Sequence, residues 1–250
     1  ALDGANAYYS PSKVALLFGS FQPDDTGAQG RYSRIHTCLS YDIIAHETTH
    51  AVIDGMYRRF AEPTNPDMLA FHEAFADLVA LLQSFDLTEL VEHEIRGARG
   101  DLAADTLLGK LAVQFGSAAR GADALRSFIG STDADGRWIR RRPDPAALAD
   151  RTTPHARGAV LVSAVFDALI AIYDARTADL FRIASVSAGA AGDGAIHPDL
   201  VRRLASEASK SARHLLRMCI RALDYVPPVD ITFFDFLRAL VTADYEFVRD

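Results

Sequence analysis

The chain has 250 residues, enough for one domain or two closely packed lobes around a large apolar core. Its composition, 49% hydrophobic and 24% charged, is that of an ordinary soluble globular protein. A formal net charge of −7 argues against a nucleic-acid partner, which would need a basic excess, and the one basic run, Arg140-Arg141-Arg142, reads as a solvated patch.

The opening ALDGANAYY has neither a basic n-region nor an apolar h-region, so no signal peptide is expected there and the compartment is left open. Residues 13–21, KVALLFGSF, suit a strand, residues 22–30 are turn chemistry, and 31–39 read as a second short strand. Helical character begins near Asp42: over 41–54, Ile43, His46, Glu47 and His50 share one face, and Gly55 ends the helix. PTNPD at 63–67 is a loop closing on Asp67 as N-cap, followed by a helix over 68–84 with Glu73 and Asp77 one turn apart. An amphipathic helix is expected at 101–115, a loop at 130–136 and a long buried helix at 156–175. A Gly-rich loop at 187–198, a helix at 199–225 stopped by Pro227-Pro228, and a last helix at 231–246 complete the chain. The pattern is an α+β fold that is predominantly α, with a β-containing N-terminal edge (1–41) and a large helical lobe (42–250). No continuous apolar run reaches the roughly 18 residues of a membrane span, so no membrane partner is expected. The two cysteines, Cys38 and Cys219, are too few for a disulfide framework and are expected as buried free thiols.

The chemistry is concentrated in IIAHETTHAV, which contains H-E-x-x-H. Two histidines four apart on a helix stand one above the other, so both imidazoles can reach one Zn²⁺ at about 2.0–2.1 Å. Glu47 lies beside such a metal without being needed as a ligand. It suits a general base that takes a proton from water acidified by the metal and later passes it to the leaving amine. The apolar residues flanking the motif give this helix a buried face, which distinguishes it from a surface helix carrying the pattern by chance. A catalytic zinc needs a third protein ligand and an open position, and Glu73 in FHEAFAD is the best candidate. Asp77, one turn on, can accept the free ring N–H of a ligand histidine. His72 is either a rival ligand or an orienting partner of His50, and Glu73 rather than His72 shares Asp77's face. His93, His155 and His197 are weaker rivals.

These residues resemble the thermolysin family of gluzincins, metallopeptidases of the zincin-like fold. DIIAHETTHAVID at 42–54 is similar to that family's active-site helix, and EAFAD at 73–77 to the helix that supplies its third ligand and orienting Asp. NAYY at 6–9 is similar to its substrate-binding edge strand, which implies that Asn6 and Ala7 hydrogen-bond the peptide backbone. IRRRPDP at 139–145 resembles the segment whose Arg contacts the substrate carbonyl, which implies Arg140. DRTTPH at 150–155 is similar to the family's Asp-x-x-x-x-His, which implies His155 as oxyanion donor and Asp150 as its orienting partner. IRALDYVPPVDITFFDFLRALVTADYEF at 220–247 resembles the last helices. The similarity touches most of the chain from Asn6 to Phe247, more weakly at 22–36, 84–136 and 176–200. It implies one zinc per chain, a peptide or protein substrate, and a preference for an apolar residue just after the scissile bond, with Ile43 and Ile139 lining that pocket by position.

The chain departs from the family in three places. Ala61 stands where a second oxyanion donor, a Tyr, is usual, so either Tyr57 reaches in from a rearranged loop or the donor is missing. Asp42 stands at one calcium-ligand position, but Ser84 replaces an expected Glu, and the paired calcium site is not expected. The N-terminal β-rich part is much shorter. An endopeptidase is the leading expectation. An aminopeptidase would need a stretch of the G-x-M-E-N type to hold the substrate amine, and none is present. A zinc-binding but inactive interaction protein would not need Glu47.

Overall fold

The computed structural model describes residues 2–22, 34–111, 126–187 and 196–247. Four short strands open it: β1 (Leu2–Asp3), β2 (Ala7–Ser10), β3 (Ala15–Phe21) and β4 (Ile35–His36). β3 is central, parallel to β1 and antiparallel to β2 and β4. The chain passes so close to β3 at residues 4–6 that a Cβ on Gly19 would lie 2.3 Å from the Gly4 carbonyl oxygen and 2.6 Å from that of Asn6. The buried Thr37 hydroxyl accepts from the Gly19 N–H and donates to the Gly19 carbonyl, each at 3.0 Å, and so holds this crossing.

The six longer helices described are α1 (Tyr41–Met56), α2 (Pro66–Ser84), α3 (Thr88–Gly97), α4 (Pro154–Ser187), α5 (Pro198–Ala222) and α6 (Phe233–Phe247). Two ribbons lie between α3 and α4: β5 (Lys110–Leu111) with β6 (Arg126–Ser127), and β7 (Gly130–Thr132) with β8 (Trp138–Arg140). The fold is α+β and predominantly α. Its centre is α2, buried almost all round through Met68, Phe71, Phe75, Leu78, Leu81 and Leu82, and packed chiefly on α1 and α4. Small residues set the α2–α4 approach. A Cβ on Gly158 of α4 would fall 2.7 Å from the Ala70 carbonyl oxygen and 3.4 Å from the Ala74 Cβ. Beside that contact the Arg157 guanidinium meets Asp67 Oδ1 at 2.6 Å and the Leu148 carbonyl at 2.7 Å, and Asp67 Oδ2 accepts the Phe233 N–H at 3.1 Å. The N-terminal ends of α2, α4 and α6 are thereby tied together.

Several elements differ from the expectations. α2 starts at Pro66, and its N-cap is Asn65, whose side-chain oxygen accepts from the Asp67 and Met68 amides; Asp67 sits inside the first turn and serves Arg157 instead. Gly55 lies within the last turn of α1. The expected strand at 31–39 shortens to Ile35–His36 and is followed by a 3₁₀ turn at Thr37–Leu39, with 31–33 outside the described residues, as are 23–30 of the expected turn. No α-helix forms over 101–111, which turn through a 3₁₀ segment (Leu107–Gly109) into β5; 112–115 lie outside the described residues. The amphipathic helix in this region is α3, which buries only Val91 and Ile95, too short a stripe to stand out in sequence. The expected loop at 130–136 is a hairpin whose turn uses Gly136 at φ 76° and the Asp133 carboxylate, which accepts the Asp135 and Arg137 amides. The helix expected to end at 175 continues to Ser187, and residues 188–195 of the Gly-rich stretch lie outside the described residues.

α4 also corrects the membrane argument. Asp167 and Asp174 interrupt any unbroken apolar run, yet a window of this helix reaches a mean hydropathy of 1.8, enough by length and composition for a span. In the fold Leu161, Val162, Val165, Phe166, Leu169, Ile170 and Tyr173 of this helix are buried in the same core as α2 and α5. Of the two free cysteines, Cys219 is buried, and its thiol is pushed up to about 12 by burial; Cys38, expected inside, is exposed in the turn before α1.

Because Gly158 sits against the α2 backbone, Gly158→Val forces the helices apart. The expected cost is about 1–3 kcal/mol of stability, read as a lower midpoint in thermal or urea unfolding; an unchanged midpoint contradicts the packing described.

Candidate metal centre

α1 and α2 lie side by side, and one turn of each supplies the site. His46 and His50 bring their Nε2 atoms within 2.9 Å, with the rings edge-on at 88°. Glu73 Oε2 comes across from α2 to 3.4 Å from His46 Nε2 and 3.6 Å from His50 Nε2. Ligands about 2.0–2.1 Å from a tetrahedral cation stand about 3.4 Å apart, so these separations are close to the edges of one tetrahedral face. The buried group His46, His50 and Glu73 could therefore hold a metal ion. Burial raises the Glu73 carboxyl, but the imidazoles of His155, His46 and His50 around it outweigh that and hold it far below the usual carboxylate range. Glu73 is an anion in this setting.

The ring orientations are set from behind. Asp77, buried in the next turn of α2, places Oδ1 2.8 Å from His46 Nδ1. A proton on that nitrogen leaves the Nε2 lone pair facing Glu73. His50 is treated similarly by His72: the two Nδ1 atoms are 2.6 Å apart and the rings stack at 4.7 Å. Burial and the neighbouring His50 push the His72 pKa down to about 4. A neutral His72 accepts from His50 Nδ1–H and again frees Nε2.

Glu47 is buried beside this group without belonging to it. Its Oε2 accepts the backbone N–H of Tyr9 at 2.9 Å. Burial raises its pKa, against the opposing pull of His46 and His50. The Tyr9 contact fixes the direction of β2. Gly19 donates to the Asn6 carbonyl at 2.8 Å, making Asn6 and Gly19 a bonded pair, so Ala7 and Tyr9 turn their amides away from β3. Ala7 thus shows its N–H and C=O along an edge that no described strand occupies.

The other expected residues divide. His155, in the first turn of α4, reaches Glu73 Oε2 with Nε2 at 3.0 Å and is about half exposed, but it stands outside the three-residue ligand group. The Gly158 contact one turn on brings it there. Asp150 is exposed at the end of the 3₁₀ turn Pro145–Ala149, and among the described residues it forms no hydrogen bond with His155. Arg140 binds Asp167 at 2.7 Å. Asp167 is about 18 Å further along α4 than His155 at 1.5 Å per residue, so neither Arg140 nor the neighbouring, exposed Ile139 is brought to the ligand group. Ile43 is half-buried on α1. Tyr57 does not reach in: its hydroxyl donates to the Leu223 carbonyl at 3.1 Å and its ring stacks on Phe60 at 4.7 Å. Asp42 accepts the Ile43 amide and the Ser40 hydroxyl at the start of α1, and Ser84 donates to the Leu81 carbonyl. Among the described residues, the only group of three such side chains that could hold a metal ion is the one at His46, His50 and Glu73.

Sequence reasoning missed Tyr9 and Asp54. The Tyr9 hydroxyl donates to Asp54 Oδ2 at 2.8 Å, which keeps the phenol above its ordinary pKa. The spacing of Glu47 and Asp54, two turns apart on one face of α1, is the one signal that could have revealed them. Comparison of the chain with known protein families, with characterised proteins and with solved structures gives no match.

Titration of the metal-free protein with Zn²⁺ should load one ion per chain. Asp77→Asn should weaken binding about 10–100-fold while the chain stays folded; equal affinity would mean that Asp77 does not orient His46.

Proposed function

We propose that this chain is a zinc-dependent endopeptidase of thermolysin-like type, with His46, His50 and Glu73 as ligands, Glu47 as general base and His155 as transition-state donor. The observation that carries the reading is the pairing of a His₂Glu group with a separate buried carboxylate, Glu47, that is not one of the three ligands. Two imidazoles and one carboxylate suit zinc and leave a fourth coordination position.

When bound, the cation polarises water and the scissile carbonyl. Glu47, its proton affinity raised by burial, takes a proton from the attacking water and delivers it to the leaving nitrogen. Asp77 and His72 hold the ligand rings through this change of charge. Ala7 offers one N–H and one C=O to an extended peptide, the pairing that adds a strand to a free edge. His155, at the exposed rim of the site, donates to the oxygen of the tetrahedral intermediate as charge builds there. With Tyr57 and Arg140 engaged elsewhere, His155 is the one expected donor that lies close to the ligands.

That shortage of donors favours a second reading, a zinc-binding interaction protein without hydrolytic activity. The two separate on one experiment with zinc-loaded wild type and Glu47→Gln, assayed on casein and on N-terminally blocked peptides. One zinc is expected in both proteins, with cleavage by the wild type and a loss of about 10²-fold or more in the variant. Cleavage of blocked peptides also excludes an aminopeptidase. A loaded wild type that cuts nothing supports the inert reading. For His155→Ala, a fall in kcat of about 10²-fold with little change in KM is expected; a change confined to KM would assign His155 to binding alone.

A further inference from the structure

Tyr9 touches α1 at two points with two different groups. Its backbone N–H reaches Glu47 Oε2 at 2.9 Å, and its phenol O–H reaches Asp54 Oδ2 at 2.8 Å. Glu47 and Asp54 are seven residues apart on one face of α1, about 10 Å along its axis. A strand bonded at one point can slide or pivot on the helix, whereas a strand bonded at two points has a defined register.

The consequence lies in what else β2 carries. The amides of Ala7 and Tyr9 point to the same free edge, and an extended peptide laid along that edge would find the Ala7 N–H available and the Tyr9 N–H already occupied by Glu47. One strand therefore both presents the pairing edge and supplies the hydrogen bond that orients the carboxylate beside the ligand group. Glu47 has three rotatable side-chain bonds, and a buried carboxylate that loses a donor is both less confined and less well satisfied.

We propose that Tyr9 is a positioning residue that sets the register between the peptide-holding edge and Glu47, with its hydroxyl bond to Asp54 as the outer anchor that keeps its amide on the carboxylate. This rests on the peptidase reading above. The ligands, the Ala7 edge and the Glu47 side chain itself are all left intact when the anchor alone is removed, so the effect belongs to the chemical step rather than to binding of metal or peptide.

The test uses the zinc-loaded full chain as wild type, Tyr9→Phe, Asp54→Asn and the double variant. Each single variant should lower kcat about tenfold, a fraction of what a positioned general base contributes, with KM within about twofold and one zinc retained. The double variant should be no worse than either single one, because both remove the same bond. Amide hydrogen exchange at position 9 should quicken at least about tenfold in both single variants. This last readout needs no catalysis: faster exchange in a chain whose wild type cuts no peptide would sink the peptidase reading and leave the two-point contact standing. Unchanged exchange, unchanged kcat in an active enzyme, or additive losses in the double variant would overturn the proposal.

Discussion

The candidate metal centre depends on the lateral contact between α1 and α2. A helix carrying H-E-x-x-H places two imidazoles over one point, but two imidazoles do not complete a catalytic metal site. The third group must come from another element, and its carboxylate oxygen has to arrive within a few tenths of an ångström of the right place. Here Glu73 offers such an oxygen, 3.4 and 3.6 Å from the two Nε2 atoms, from one turn of a nearly wholly buried helix, which fixes it better than a loop could. The same turn of α2 carries His72, and the next carries Asp77, so one helix supplies both the third candidate ligand and the groups that contact the rings of the other two. A displacement of α2 would disturb all three together.

What keeps α2 in place is ordinary packing of small and large side chains. Gly158 and the alanines opposite it let α4 approach closely, and this approach also delivers His155 to the rim of the site. The Asp67–Arg157 pair is only partly exposed and shares its carboxylate with the amide at the start of α6, so it acts as a connector between helix ends rather than as an isolated surface ion pair. On the other flank the N-terminal sheet is small, and its crossing at Gly19 and Thr37 gives β2 a defined path to α1. The two supports are independent: one positions the candidate ligands and His155, the other positions Glu47 and the free edge.

The parts legible in sequence were those governed by short-range periodicity. The His46–His50 spacing on α1, the Glu73–Asp77 pair and the helical nature of the C-terminal half all follow from residues three or four apart. His72 was legible as either a rival ligand or a partner of His50, since Glu73 rather than His72 shares Asp77's face, and the structure places its Nδ1 2.6 Å from that of His50. The parts that were not legible depend on contacts distant in the chain. Arg140 matched a motif by position, yet in the β7–β8 hairpin Trp138 donates to the Ala103 carbonyl and Arg140 pairs with Asp167, well along α4 from His155. Tyr57 was near the H-E-x-x-H helix in sequence but is drawn to Leu223, 166 residues on. Tyr9 escaped notice because its decisive group is a backbone amide, whose direction is set by strand register and not by side-chain identity.

The most direct test of the account is X-ray absorption spectroscopy at the zinc edge on the loaded protein, compared with Glu73→Gln. The expected first shell has two imidazole nitrogens and one carboxylate oxygen at about 2.0–2.2 Å, with one further light atom from solvent, and the carboxylate contribution is altered in the variant. A shell of three or four imidazoles, or one that Glu73→Gln leaves unchanged, would contradict it.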